Sequence, residues 1–223
     1  MKKVQLVCLA LSNKEGEFCF AGVELGAHRW IRPVSESEHG ELSAAQCQLA
    51  GGVSPVVLDV IEMPIVEARP EPSQPENCLI GPGPWRRIKH LRREDAIALL
   101  SRLATDGPEL FGDLADRIPA GQFARKPASS SLIVAEPDDL AFAVTWSVGQ
   151  FKQSRCRFSL SGQSYDLSLT DAVWRNKLRK FKIGEYAAES LGIPKGSRTF
   201  LTLGLGAPWH GHCFKLAVAL MPL

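Results

Sequence analysis

The residues best suited to chemistry lie in PWRRIKHLRR, residues 84–93. Arg86, Arg87, Lys89, Arg92 and Arg93 fall within eight positions, with Trp85 and His90 among them. Guanidinium groups give bidentate contacts to phosphate, and an indole gives a face on which a base can stack. Together these are the parts of a groove wall for single-stranded nucleic acid. The same residues also suit a solvated basic face leading into a helix, its charge answered by acids elsewhere. Both readings stand at the level of sequence.

Three further segments carry candidate contacts. In WRNKLRKFK, residues 174–182, Arg175, Arg179 and Lys182 recur at i, i+4 and i+7, opposite an apolar face of Trp174, Leu178 and Phe181. Arg175 and Arg179 are candidates for phosphate contact, while Trp174 suits the core. In GAPWHGH, residues 206–212, Trp209 and His210 sit at a hairpin tip between glycines, where an indole either stacks on a ligand or caps a barrel end. The His210-x-His212 pair lacks the further ligands that a metal ion needs, so no metal site is expected. In HRWIRPVS, residues 28–35, strand alternation puts Trp30 and Arg32 on one face, as a ligand contact or as an internal cation–π pair that fixes the strand end.

Catalytic patterns are poor. GxSxG, HExxH and GKS/GKT are missing, and Gly204-x-Gly206 is too short for a dinucleotide loop. Asp138-Asp139 falls in a turn, and Asp59, Glu62 and Glu67 do not share a strand face. The expectation is a binding protein with no catalytic residues and no cofactor. A nuclease assembled from scattered acids is the open alternative.

The elements that must position these groups are mostly strands. Val4–Leu11, Glu17–Glu24 and His28–Pro33 predict a meander whose first turn places Gly16 at positive φ. Pro55–Glu67 predicts a long strand bent at Pro64, followed by a short one within Glu76–Ile80. Residues 93–104 predict the clearest helix, with Glu94 and Asp95 in its first turn, and a helical turn is expected near Pro108. Residues 119–131 have linker composition. Beyond them come strands at Leu132–Ala135, Leu140–Val148, Arg155–Leu160 and Ser164–Leu169. A helix capped by Thr170-Asp171 follows, then a short helix near Glu185–Leu191 and a closing hairpin, Arg198–Leu205 with Cys213–Met221.

Strands cluster instead of alternating with helices, which argues against a doubly wound α/β enzyme and for two small barrels or one larger β assembly. Charge is uneven: residues 1–84 hold six Lys/Arg against eleven Asp/Glu, and the remainder twenty against thirteen, within a net charge of +2. The basic second part points to an anionic partner. The six cysteines (8, 19, 47, 78, 156, 213) form no CxxC pair and suit buried hydrophobes in a reducing cytoplasm. The apolar start is interrupted at Gln5 and ended at Asn13, so it predicts a strand and not an export signal; no stretch is long enough to span a membrane.

Strand-Trp30-x-Arg32-Pro33-Val34-Ser35, Gln74-Pro75-Glu76-Asn77, Tyr165-Asp166-Leu167 with Thr170-Asp171 and Trp174, and the ending CFKLAVAL together resemble the bacterial dual OB-containing domain proteins. The resemblance spans nearly the whole chain. It implies tandem OB-like barrels and nucleic-acid binding, in a defence or stress-associated setting, and it carries no catalytic residues. The expected fold is therefore mainly β (α+β): a first OB-like barrel over 1–82, a basic helical connector over 83–127, and a second barrel with an amphipathic helix over 128–223. The expected partner is nucleic acid, single-stranded before duplex. A PUA-like modified-base reader and a protein-interaction accessory module are the alternatives.

Overall fold

The computed structural model describes residues 2–14, 17–38, 40–147 and 149–223; the turn at Gly16 lies outside these residues. Six strands make the first sheet: β1 (Lys2–Lys14), β2 (Glu17–Glu24), β3 (Trp30–Val34), β4 (Asp59–Ala68), β5 (Asn77–Ile80) and β6 (Arg86–His90). Their order is β1-β2-β3-β5-β4, and β4 returns to pair with β1, so five strands close into a barrel. β3 and β5 run parallel and the other pairs antiparallel, which is the Greek-key order of an OB fold. β6 lies outside the barrel, on β4.

Alternation explains the barrel. Val4, Leu6 and Cys8 of β1 point inward with Phe20, Ile31, Ile61 and Met63. Val7 and Leu9 point outward, yet they too are buried, because a second layer covers them. β1 changes register between Cys8 and Ala10 as it turns the barrel corner. Gly22 fits that corner by necessity: a Cβ there would lie 2.3 Å from the Val7 carbonyl oxygen.

After β6 come α1 (Arg93–Leu103), β7 (Ala104–Thr105), β8 (Arg117–Pro119), α2 (Ala120–Arg125), β9 (Leu132–Ala135), β10 (Asp139–Trp146), β11 (Lys152–Leu160), β12 (Gln163–Leu169), α3 (Ala172–Leu178), β13 (Gly184–Ala187), a 3-10 turn (Ala188–Leu191), β14 (Thr199–Leu205) and β15 (His212–Pro222). The second sheet runs β13-β10-β11-β12-β15-β14-β9-β7, with β12 and β15 parallel. Within it, β10-β11-β12-β15-β14 repeats the order of the first barrel. The first strand of this copy is split at Glu136-Pro137-Asp138. Its front part, β9, pairs with β14 and its rear part, β10, pairs with β11, so the covalent chain closes the circuit. Proline cannot donate to a ladder, which explains the break.

Some local expectations gave way to tertiary pairing. Residues 119–131 hold α2, and residues 184–187 form β13 on the edge of β10 instead of a helix. Near Pro108 there is no helix; Leu110 is buried in the second core and residues 110–113 make a turn. The segment 83–127, expected as a connector, holds α1 but also lends β6 to the first sheet and β7 and β8 to the second.

The two halves share a core. Val7, Leu9 and Val60 of the first meet Val134, Phe200 and Met221 of the second, with Leu99 and Leu100 of α1 between them. Ala10, Ala21 and Trp30 meet Leu132 and Val218. Arg32 Nη2 donates to Ser131 Oγ at 2.8 Å and lies 3.6 Å from Glu76 Oε1, while Ser131 also donates to Glu76. Gln74 Nε2 reaches the Leu205 carbonyl at 3.3 Å. The Trp30-x-Arg32 and Gln74-Pro75-Glu76 motifs are thus the contact between barrels.

Candidate nucleic-acid interface

In an OB barrel, ligands lie on the outer face of the second and third strands and on the neighbouring loops. In the first barrel that face carries Ala21, Val23, Trp30 and Arg32, and the second barrel covers it. The matching face of the second barrel, on β11 and β12, is open. Gln153, Arg155 and Arg157 alternate outward there beside Ser164, Asp166 and Ser168, because Cys156, Phe158 and Leu160 and Tyr165, Leu167 and Leu169 take the inward positions. Arg155 Nε lies 2.7 Å and Arg157 Nε 2.9 Å from the Asp166 carboxylate, and Arg157 also pairs with Glu185. Gln153 Nε2 and Arg155 Nη1 both donate to Ser168 Oγ, at 2.7 and 2.9 Å. The result is a preorganised polar surface with little net charge, beside an open depression of about 570 Å³ lined by Ala141, Arg157, Ser164 and Asp166.

Positive charge without a counter-ion gathers at one end of this face. The pairing of Trp146 with Lys152, of Arg155 with Ser168 and of Val144 with Gly184 brings three features to the same end: the β10–β11 loop, the start of α3 and the entry to β13. Trp146 (56% exposed) and Phe151 (75%) flank the loop, and Val173 (62%), in the first turn of α3, and Ile183 (43%), just before β13, are also exposed. Lys152, Lys177, Arg179, Lys180 and Lys182 are exposed and make no ion pair among the described residues. A second depression of about 370 Å³ runs along Val173, Asn176, Lys177 and Lys180.

Local chemistry fixes this end firmly. Asp171 caps α3 by accepting from the Val173 and Trp174 amides at 2.8 and 3.1 Å, and its other oxygen takes the Leu220 amide at 3.0 Å. Burial raises the Asp171 pKa, against the lowering effect of those three bonds. Trp174 lies in the core, stacked 6.2 Å from Phe142 and donating to the Leu220 carbonyl at 3.1 Å, and Lys177 Nζ sits 3.7 Å above its ring. The apolar face of α3 plugs the barrel, leaving its cations to solvent at the helix C-terminus, where they complement the dipole.

The residues singled out from sequence fall on separate surfaces. Trp85 corrects the expectation outright: it is 1% exposed, inside the first barrel, with its ring edge-on to Phe20 at 5.0 Å, so no base can stack on it. Arg86, Arg87 and Lys89 are exposed on β6, with Arg86 3.2 Å from Glu62 and Arg87 3.8 Å from Asp59. Arg92 precedes α1 and pairs with Asp95 at 3.1 Å. Arg175 and Arg179 belong to the cationic end of α3. Trp209 and His210 occupy the exposed tip between β14 and β15, their rings 4.2 Å apart, with Phe214 5.8 Å from Trp209. Trp30 and Arg32 are taken up, mostly buried, by the contact between barrels. No group of three or more His, Cys, Asp or Glu is placed to hold a metal ion among the described residues. Among the described residues, no helix is long and apolar enough to cross a membrane.

Sequence reasoning passed over Trp146, Phe151, Lys152, Lys177 and Lys180. The available signal was WSVGQFK, in which two aromatics flank a glycine between strands. Such rings have no interior to enter at a loop shoulder.

Comparison with known proteins adds the following. A family model described as the dual OB-containing domain matches residues 4–220. No curated protein matches. A solved structure titled the tetrameric p202 HIN2 aligns over 100% of this chain and 92% of its own, at 6% sequence identity and a TM-score of 0.28. That overlap is too slight to carry an argument about ligand or mechanism.

Proposed function

Since the chain belongs to the dual OB-containing domain family, we propose that it binds single-stranded nucleic acid, and that the second barrel alone does the binding. One observation carries this reading: exposed Trp146 and Phe151 lie at the same end of the second barrel as five exposed cations that make no ion pair among the described residues. Bases would stack on the two rings, and the backbone would follow Lys152, Lys177, Arg179, Lys180 and Lys182. Arg155, Arg157 and Gln153 would offer polar contacts further along the strands. A duplex keeps its base faces stacked internally and cannot use the rings in this way. The reading includes no catalytic step. Five of the six cysteines, Cys8, Cys47, Cys78, Cys156 and Cys213, are buried thiols, which suits a reducing cytoplasm.

Tryptophan fluorescence tests the proposal. Single-stranded DNA or RNA should quench the exposed Trp146 and leave the buried Trp85 and Trp174 unaffected. Trp146→Phe should remove most of the quench with affinity largely kept, while Phe151→Ala should weaken binding by about 1–3 kcal/mol with no change in melting temperature. Equal affinity for duplex, or indifference of binding to Phe151→Ala, would overturn it.

A further inference from the structure

β6 contributes nothing to either core. All five of its side chains, Arg86 to His90, are exposed, although the residues on either side are anchors. Trp85 is buried in the first barrel and its carbonyl accepts from the Ala50 amide at 2.7 Å; Leu91 is buried against α1, and its amide donates to the Leu58 carbonyl at 3.0 Å. A short strand is thus stretched between two fixed points. It pairs with β4 along one side only, and it ends the sheet. Among the described residues, no backbone group outside the sheet answers the other side of Arg86–His90. A preformed open edge of this kind is a template for strand addition.

We propose that β6 is a docking edge for an extended acidic segment of a partner protein. Charge selects this occupant. Arg86, Arg87 and Lys89 lie on the edge, with Arg92 and Arg93 just beyond it. The acids that answer Arg86 and Arg87 are Glu62 and Asp59, on β4 behind the edge, and Asp59 is fully buried. Lys89 and Arg93 make no ion pair among the described residues. A second copy is disfavoured as occupant, because centred antiparallel pairing of two such strands would set Arg87 against Lys89 and Arg86 against His90. The register shift opposite Val60 and Ile61 leaves Ile88 as an extra residue in β6, a bulge that also discourages self-pairing. Ile88 remains as one exposed apolar contact for the incoming strand. This edge belongs to the first barrel and does not depend on the nucleic-acid reading of the second.

The test uses the full chain and a fluorescein-labelled peptide of alternating glutamate and valine. Controls are the lysine–valine peptide, the acidic peptide with alternate backbone amides methylated, and a single-stranded oligonucleotide. The acidic peptide should bind and should protect the amides of residues 86–90 from hydrogen exchange. Methylation, and separately the double change Arg87→Glu with Lys89→Glu, should each weaken it by about tenfold or more. Thermal melting checks that the double variant stays folded, since Arg87 is half-exposed and lies 3.8 Å from buried Asp59; the methylated peptide tests the edge on the unaltered chain. Equal binding of the methylated peptide would reduce the effect to simple charge attraction and overturn the proposal. Protection of residues 86–90 by the oligonucleotide, with displacement of the peptide, would assign the edge to nucleic acid instead and also overturn it.

Discussion

Changing Lys177 and Lys180 together to glutamine should flatten the salt dependence of nucleic-acid binding. Each neutralised phosphate releases counter-ion, so the slope of log affinity against log salt counts the contacts. With Lys152, Lys177, Arg179, Lys180 and Lys182 each meeting one phosphate of a single strand, the slope is about −3.5, and affinity falls about 130-fold between 50 and 200 mM salt. Removing two of the five gives a slope of about −2.1 and a fall of about 20-fold over the same range. Fluorescence anisotropy with a labelled oligonucleotide across a salt series measures both. Lys177 also covers the Trp174 ring, so Lys180→Gln alone separates loss of charge from loss of that contact. Arg86→Gln with Arg87→Gln, on the other barrel, should leave the slope unchanged. A double lysine variant with the parent slope, or an arginine variant that flattens it, would show that the phosphate path lies elsewhere.

Three further outcomes follow from the packing. Glu76→Gln should cost about 2–3 kcal/mol, somewhat less than a fully buried ion pair, because Arg32 keeps some solvent contact; urea unfolding measures it, and replacing both residues with methionine should recover most of the loss. Trp85→Ala should destabilise by about 3–5 kcal/mol without changing nucleic-acid affinity at a temperature where the variant is folded, as calorimetry and anisotropy would show. Stability should fall above about pH 8.5. Burial raises the Cys8 and Cys156 thiols, so the unfolded chain sheds protons there that the folded chain keeps, at about 1.4 kcal/mol per pH unit for each cysteine. Lys215, lowered by its own burial, acts in the opposite direction as pH nears its ordinary range. Urea midpoints in reducing buffer at pH 8 and 10 should differ less in Cys156→Ala and more in Lys215→Met.

Most of the strand skeleton was legible: along β11 and β12 inward and outward positions differ in polarity, and β1, β2 and β10 are apolar runs bounded by polar turns. α1 was legible for a similar reason, its buried Ala96, Leu99 and Leu100 repeating at helical spacing. β6 was not. A strand with every side chain exposed has no alternation to display, and it is held by backbone pairing and by anchors outside its own span. Trp85 misled because charged neighbours suggest solvent, yet it marks the point where the chain leaves the first core. The aromatic end of the second barrel was hidden for a different reason. Its parts come from residues 146–152 and 173–183, which only the β10–β11 and β10–β13 pairings bring together. The Trp30 and Arg32 motif admitted a structural reading in sequence as an internal pair, but Arg32 instead meets Ser131, about a hundred residues away.

The covered face of the first barrel has a quantitative consequence for any ligand. Tandem binding modules usually gain avidity, because the second site engages at high effective concentration once the first is filled. Here the first barrel gives its equivalent face to its neighbour, so under the proposed function the chain is bivalent in architecture and monovalent in recognition. Titration should therefore saturate at one short oligonucleotide per chain, and lengthening the oligonucleotide beyond the reach of one barrel should bring no further gain in affinity.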